Sequence, residues 1–516
     1  MPSHSVSFGG RMFVVCFESP KFRLRAHHSQ HSFQEKDMTQ PNPSAIALHK
    51  KACLIRSAVL AAAAIILSGI LTQAAHASDV MLANQPSSEY AARRQKLMSQ
   101  VKDGVTVLIG AREEDLGEVG RFRQKNDFMY LTGVETPGAY LILVPAGLIP
   151  DKPGREILFI PARNLIQEKW TGPQMGPGAE AEKYFGIREV MASDKFFSTL
   201  LDIVGSAPAR AEGRNQTAKI YTVAPGGSDA IMTREGRFVE TLRGVSSAYR
   251  ILDVSRTIGE MRKIKSAGEQ ALLQKAIDIS GEGQRDCRNT VKPGLFEYEV
   301  QAVIEAAFTR NGSERPGYPS IVGSGINSTV LHYNENKKRI DEGDLVVVDV
   351  GAEYSYYTAD ITRTYPASGR FTERQRQVYQ LVLDAQRAAE KAFKLGESTT
   401  ASLKQVASEV IRSSPLRDSH GNTLDRYFIH GLSHWLGMDV HDVGDYSKPL
   451  PVGSVITIEP GIYIPDEKLG VRIEDNYLIT ESGLVKLSAK IPSDPDEIER
   501  LMTASHSSAS AGSMKK

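Results

Sequence analysis

Three cysteines in 516 residues, Cys16, Cys53 and Cys287, leave no basis for a disulfide framework or for a zinc or iron–sulfur site built from thiolates. An excess of charge of one sign is missing too. Lys plus Arg number 62 and Asp plus Glu 61, a formal net charge of +1. No basic footprint or stacking motif points to nucleic acid, and no acidic tail stands out. The apolar run from Ala58 to Leu71 is about 14 residues, short of the roughly 20 that span a bilayer. No short-period repeat is visible. Against these absences, 41% apolar and 24% charged residues describe an ordinary folded chain rather than a disordered one. Its length suggests two to four domains at roughly 100–200 residues each.

The first 77 residues read as an address. Between Met38 and Ala77 there is no Asp or Glu, but Lys50, Lys51 and Arg56 precede the apolar run, and Ala75-His76-Ala77 follows it. A basic region, a short apolar region and a small-residue cleavage motif make a secretory signal. The expectation is an exported protein, periplasmic or secreted, cleaved near Ala77; the shortness of the run favours this over a retained membrane anchor. Met38 is an alternative start. Cleavage removes two cysteines and leaves Cys287, which suits an oxidising compartment and reads as a packed thiol.

The rest divides near residue 255 into regions 78–254 and 255–500, with a Ser/Ala-rich tail, 501–516, expected to be disordered. In the first region a helical stretch over residues 88–103 precedes apolar strand-like runs at Val105–Ile109, Tyr140–Val144 and Ile157–Ile160, the pattern of an α/β domain around a central sheet. The second reads as α+β, with helices on one face of a mostly antiparallel sheet. Its helices are expected over residues 260–289, from Pro293-Gly294 to about Arg310, and from the capping-box pattern Thr372-x-x-Gln375 onwards.

Chemistry concentrates in that second region. Leu345–Gly351 is a buried strand containing Asp349, and Asp360 opens a second alternating run, so a hairpin between them would bring the two carboxylates together. A buried unpaired carboxylate is costly, and two close ones repel unless they share a proton or hold cations. His430, His434 and His441 then fall within 12 residues. Val455–Ile458 runs into Glu459-Pro460-Gly461. In Val471-Arg472-Ile473-Glu474, period 2 places Arg472 and Glu474 on one face, an arginine able to orient a ligand carboxylate. Four carboxylates and at least one histidine suit Mn²⁺, Co²⁺ or Zn²⁺, and that much negative charge suits two ions, the arrangement of a hydrolytic two-metal site.

These segments resemble the aminopeptidase P family, the Xaa-Pro aminopeptidases. The resemblance is carried by VDVGAEYSYYTADITRTYPASGRFT (348–372), HGLSHWLGMDVHDVG (430–444), TIEPGIY (457–463) and VRIEDN (471–476), with LHYNEN (331–336) upstream and QKNDFMYLTG (124–133) in the first region. It implies a C-terminal pita-bread catalytic domain preceded by a creatinase-like α/β domain. Asp349, Asp360, His434, Glu459 and Glu474 would hold two divalent ions, most often manganese, with Asp360 and Glu474 bridging. A metal-bridging hydroxide would attack the scissile carbonyl, and Glu459 would accept the proton. His332 and His441 would bind substrate and stabilise the tetrahedral intermediate, His430 would line the proline side, Arg472 would hold ligand carboxylates, and Tyr463 would support them. Asp127 matches a position that reaches another subunit's site in some members. The implied partners are peptides with proline at the second position, and the implied assembly a homodimer or homotetramer.

Proline supplies the logic for a dedicated enzyme, because the bond to it has no N–H and its ring fixes the backbone. Prolidase, which cleaves only Xaa-Pro dipeptides, shares this fold and metal set. Methionine aminopeptidase usually lacks the large first domain, and creatinase shares the fold without metals. A non-catalytic pita-bread binding module would have lost ligand residues, and none is lost here.

Overall fold

The computed structural model describes residues 80–113, 121–206, 218–227, 229–245 and 249–513, with side chains to Ser505. The signal-like segment lies outside the described residues. Among the described residues, no helix is long and apolar enough to cross a membrane.

The first half is built on six strands ordered Glu189–Ala192, Arg155–Ile160, Tyr140–Val144, Val105–Ile109, Ala218–Thr222 and Tyr249–Asp253. The apolar runs at Val105–Ile109 and Tyr140–Val144 pair antiparallel at its centre, Arg155–Ile160 adds antiparallel to Tyr140–Val144, and the remaining pairings are parallel. Side chains of Val105–Ile109 are buried on both faces, which explains why they read as continuous rather than alternating. Helices Ser87–Gln100, Phe196–Ser206 and Arg234–Val245 supply covering layers.

In the second half every strand pairing is antiparallel. The helix expected over 260–289 is two helices, Ser255–Arg262 and Ala267–Thr290. Ser266 breaks them: its side chain accepts from the Glu269 amide while Glu269 returns to the Ser266 amide, a capping box inside what periodicity alone reads as continuous. Thr372 caps helix Glu373–Ala392 in the same way with Gln375, as the sequence pattern predicts.

The two halves share a core. Leu131 and Val134 from the first pack in one apolar cluster with Tyr356, Tyr357, Leu436 and Met438 from the second. Arg123 pairs with Glu353 at 2.9 Å across the same boundary. The tail also differs from expectation, because helix Pro495–Ser513 continues through most of it. Ile498 and Met502 are fully buried and anchor its first turns, and a nucleated helix adds one hydrogen bond for each further residue it fixes. Cys287 is buried and free; burial pushes its thiol well up, away from reactivity.

Candidate active site

Strand Leu345–Val350 pairs antiparallel with Ile361–Pro366, placing Asp349 opposite Thr362 and Val350 opposite Ile361. Asp360, just before the second strand, therefore arrives beside Asp349, as the hairpin expectation requires. Gly351 makes this return possible: a Cβ there would lie 1.8 Å from the Ala359 carbonyl oxygen. A second antiparallel pair, Val455–Ile458 with Asp475–Thr480, sets Ile458 opposite Asp475, so Glu459 and Glu474 emerge together at its end. The Glu474 amide donates to Thr362 O at 3.1 Å and joins the two ladders. The histidine segment is stitched alongside, with Thr457 N donating to His434 O at 3.0 Å and Glu459 N to Leu432 O at 2.8 Å. Gly461 leaves room for Tyr463, whose hydroxyl would be 2.3 Å from a Cβ there.

The result is a cavity of about 600 Å³ lined by Asp349, Asp360, His434, Glu459 and Glu474, the five residues predicted as ligands, together with His332, His430, His441 and Arg472. Tyr463 sits behind it. His434 Nε2 lies 3.3 Å from Asp360 Oδ2, 3.4 Å from Glu459 Oε1 and 3.8 Å from Glu474 Oε1. Its Nδ1 is 3.0 Å from the Trp435 carbonyl, which fixes the proton on Nδ1 in the neutral ring and turns the Nε2 lone pair toward the carboxylates. Glu474 Oε1 is buried without a hydrogen-bond partner. Two ligand atoms about 2.1 Å from one ion are separated by roughly 3–3.5 Å at ordinary coordination angles, close to the spacings around His434. Asp360, His434 and Glu474 offer ligand atoms that all lie within 4.8 Å of one another. The donor set and the orphaned oxygen fit divalent cations.

Electrostatics gives the same picture. Burial, then the charges of Asp360, Glu459 and Asp349, push the Glu474 carboxyl far above the usual range. Burial likewise raises Glu459 to about 7, with Asp360 adding to it. Asp360 is raised by burial and by Asp349. Asp349 goes the other way: burial opposes it, but Arg472 and the Tyr318 hydroxyl hold it low. Burial disfavours imidazolium at His434, yet the Asp360 and Glu459 carboxylates overcome this and raise it to about 9. These are properties of the cluster without cations, which bind in competition with the same protons.

Arg472 does not sit directly on Glu474 as its strand partner. Its Nη2 donates to Asp349 Oδ2 at 2.7 Å and its Nη1 to the Tyr463 hydroxyl at 2.8 Å. Its Nε donates to Thr362 Oγ1 at 3.1 Å, and Thr362 in turn donates to Glu474 Oε2 at 2.7 Å. Thr362 was invisible as a functional residue in the sequence, although its place two residues after Asp360 put it on the same strand face. Tyr318 was missed as well. Its hydroxyl is 2.6 Å from Asp349 Oδ1 and 2.5 Å from Asp360 Oδ1, and it lies outside every motif.

The remaining histidines surround the cluster. His430 Nε2 is 2.9 Å from the Tyr463 hydroxyl and Nδ1 is 2.7 Å from Gly431 O. Burial, then Arg472, push its imidazolium down to about 3, so the ring is neutral. His441 packs edge-on to His434 at a centroid distance of 4.3 Å, and His332 is exposed at the rim. Asp127 is engaged within the chain, its Oδ1 accepting from Arg262 at 2.7 Å.

A buried oxygen-rich cluster with one imidazole, on antiparallel strands, has the donor set of a divalent-metal site, and the match of residues 271–481 to Metallopeptidase family M24 gives the class, a metallopeptidase. Residues 90–210 match the aminopeptidase P N-terminal domain. The chain belongs to the aminopeptidase P family, the Xaa-Pro aminopeptidases, and is a metallo-exopeptidase with a pita-bread catalytic domain. It is 33% identical over 440 residues to the Xaa-Pro aminopeptidase of Escherichia coli (strain K12), covering 81% of this chain and 98% of that protein. Xaa-Pro aminopeptidase 3 of Homo sapiens is 31% identical over 449 residues, 80% of this chain and 85% of that one. The solved structure of aminopeptidase P from E. coli with the inhibitor Pro-Leu aligns with a TM-score of 0.72 at 32% identity, covering 82% and 99%.

Proposed function

We propose that Asp349, Asp360, His434, Glu459 and Glu474 hold two divalent ions, manganese first among them with cobalt or zinc as substitutes, and that the chain hydrolyses the N-terminal Xaa-Pro bond of peptides. The observation that carries this reading is the meeting of all five side chains in one cavity, with the buried Glu474 Oε1 left without a partner. When bound, the ions neutralise the carboxylates and supply an activated water as nucleophile. Glu459 accepts the proton of the attacking water on its carboxylate and passes it to the proline nitrogen. His332 and His441, at the cavity rim, donate to the carbonyl oxygen as it gains charge. Neutral His430, held by Tyr463, presents an uncharged wall to the proline ring. Thr362, Tyr318 and Arg472 keep the carboxylate oxygens oriented.

The assay uses Arg-Pro-Pro, with Ala-Pro as the dipeptide control. Chelated protein restored with Mn²⁺ releases arginine from the tripeptide, and Glu459→Ala lowers kcat by about 10²–10⁴-fold, the range for loss of a general base. Cleavage of Ala-Pro alone moves the assignment to prolidase. No turnover of either peptide with two metals bound overturns the reading.

The same proposal includes export. It rests on the basic-apolar-AHA order of residues 50–77. N-terminal sequencing of protein from the exported fraction should read from Ser78; a start at or before Met38 there refutes cleavage. A homodimer or homotetramer completes it, supported by Leu165, Ile166 and Trp170, exposed by 68%, 72% and 83% on one short stretch. A monomeric mass by light scattering would exclude it.

A further inference from the structure

On the far side of the catalytic strands, helix Ala267–Thr290 carries a cation without a counter-charge. Arg288 is 8% exposed. Its Nη2 makes one long bond, 3.3 Å, to Asn289 Oδ1, and its Nε is buried with no partner. Among the described residues, no carboxylate forms an ion pair with it. The nearby acids are taken by other cations: Glu282 and Asp286 by Arg285, and Asp286 also by Arg310. The position of Arg288 in the last helical turn offsets part of its charge through the helix dipole, but provides no acceptor for Nε.

Arg288 lines a cavity of about 340 Å³. Arg285 and Lys490 line it too, and so do Glu282 and Asp278, their carboxylate partners, which leaves Arg288 as the lining cation without a carboxylate of its own among the described residues. Ile491 and Leu501 give it apolar wall. We propose that this cavity is an oxyanion site, in which the Arg288 guanidinium grips a carboxylate or phosphate group. A planar fork of N–H donors suits either group. The site is also wired to the reaction centre. Gln284, another lining residue, donates to Val348 O at 3.1 Å and Ile361 O at 2.9 Å, the carbonyls next to Asp349 and Asp360. Tyr365, on the Asp360 side, bonds back to Gln284 Oε1 at 3.0 Å. An anion on Arg288 therefore braces the helix against the strands that carry those carboxylates.

The test uses the metal-loaded full chain. Its unfolding midpoint is measured in inorganic phosphate and in acetate against chloride at matched ionic strength. The expected result is a saturable rise with at least one of the two, which identifies the group preferred. Arg288→Met removes that rise while retaining Xaa-Pro cleavage, and Arg288→Lys, which keeps charge without the fork, retains part of it. Any phosphate effect at the catalytic centre is common to wild type and variant, so their difference reports Arg288. An equal response of wild type and Arg288→Met to both anions overturns the proposal. Should Arg288→Met fail to fold, crystals soaked in selenate decide: an anomalous peak within hydrogen-bond reach of Arg288 supports the site, and its absence refutes it.

Discussion

Glu474 and Asp475 are consecutive, both fully buried, and opposite in character. Asp475 meets Arg363 at 2.7 Å, Lys486 at 3.2 Å and the Ser488 hydroxyl at 2.6 Å. Burial opposes its ionisation, but Arg363 and Lys486 hold the carboxyl below its usual range. Glu474 faces three other carboxylates and has one oxygen with no partner, and its carboxyl is far above the usual range. The same contrast separates two whole clusters. Beside the candidate active site, Asp442 is matched by Arg262 at 2.6 Å and Lys265 at 2.9 Å. Inside it, Asp349, Asp360, Glu459 and Glu474 share a single arginine, Arg472. Burial of acids therefore does not mark a site. Imbalance does, because a fold retains it only where something else supplies the positive charge.

The sharpest way to break this comparison is to unbalance the balanced cluster. Asp442→Asn strands Lys265, whose side chain is 1% exposed, and takes one of three carboxylates from Arg262. The expected loss is about 3–5 kcal/mol of stability, the range for removing one partner of a buried pair. Chemical denaturation of the metal-loaded protein measures it. A loss no larger than that of an exposed pair would mean that water reaches the cluster. This change also bears on the site, since Asp442 follows His441 and Arg262 also holds Asp127 and Asp439. Those pairs clamp the histidine segment to the first half of the chain.

A smaller change probes how the unbalanced cluster is held. Thr362→Val removes the hydroxyl linking Arg472 to Glu474 while preserving shape and β-branching. It should lower metal affinity or kcat by about 10–100-fold, the usual cost of losing a group that orients a ligand. Circular dichroism should be unchanged. Full activity would show that Arg472 positions Asp349 independently of Glu474.

The unbalanced residues were legible in the sequence because apolar strands interrupted by Asp349, Glu459 and Glu474 break the period that burial dictates. The balancing ones were not. Nothing local pairs Asp442 with Lys265, which is 177 positions away, and charge partners across such separations depend on tertiary packing. Tyr318 was hidden for the same reason, since one tyrosine before a proline carries no period. Strand content and the Thr372 cap were readable because they are local. The break at Ser266 was missed although its capping signature is local, because apolar spacing on both sides kept the helical phase.

The last comparison reverses a sign. In the metal-free protein Glu474→Gln should increase stability by on the order of 1 kcal/mol, the value of one pKa unit, because a neutral amide needs no proton taken up on folding, whereas the fold holds the Glu474 carboxyl protonated. The pH profile should agree. Glu459 has a folded pKa of about 7 against an ordinary 4.5, so between those values the folded state holds more protons than the unfolded one. Stability then falls as pH rises across that window. His434, raised from 6.5 to about 9, continues the fall at higher pH. Asp475, with a lowered pKa, contributes in the opposite direction, losing stability only in acid. Added divalent metal should reverse the trend above pH 7, because cations bind the deprotonated cluster. Thermal unfolding of chelated and Mn²⁺-loaded protein from pH 5 to 9 reads both slopes. Parallel curves would mean that the cluster is neutralised by something other than metal.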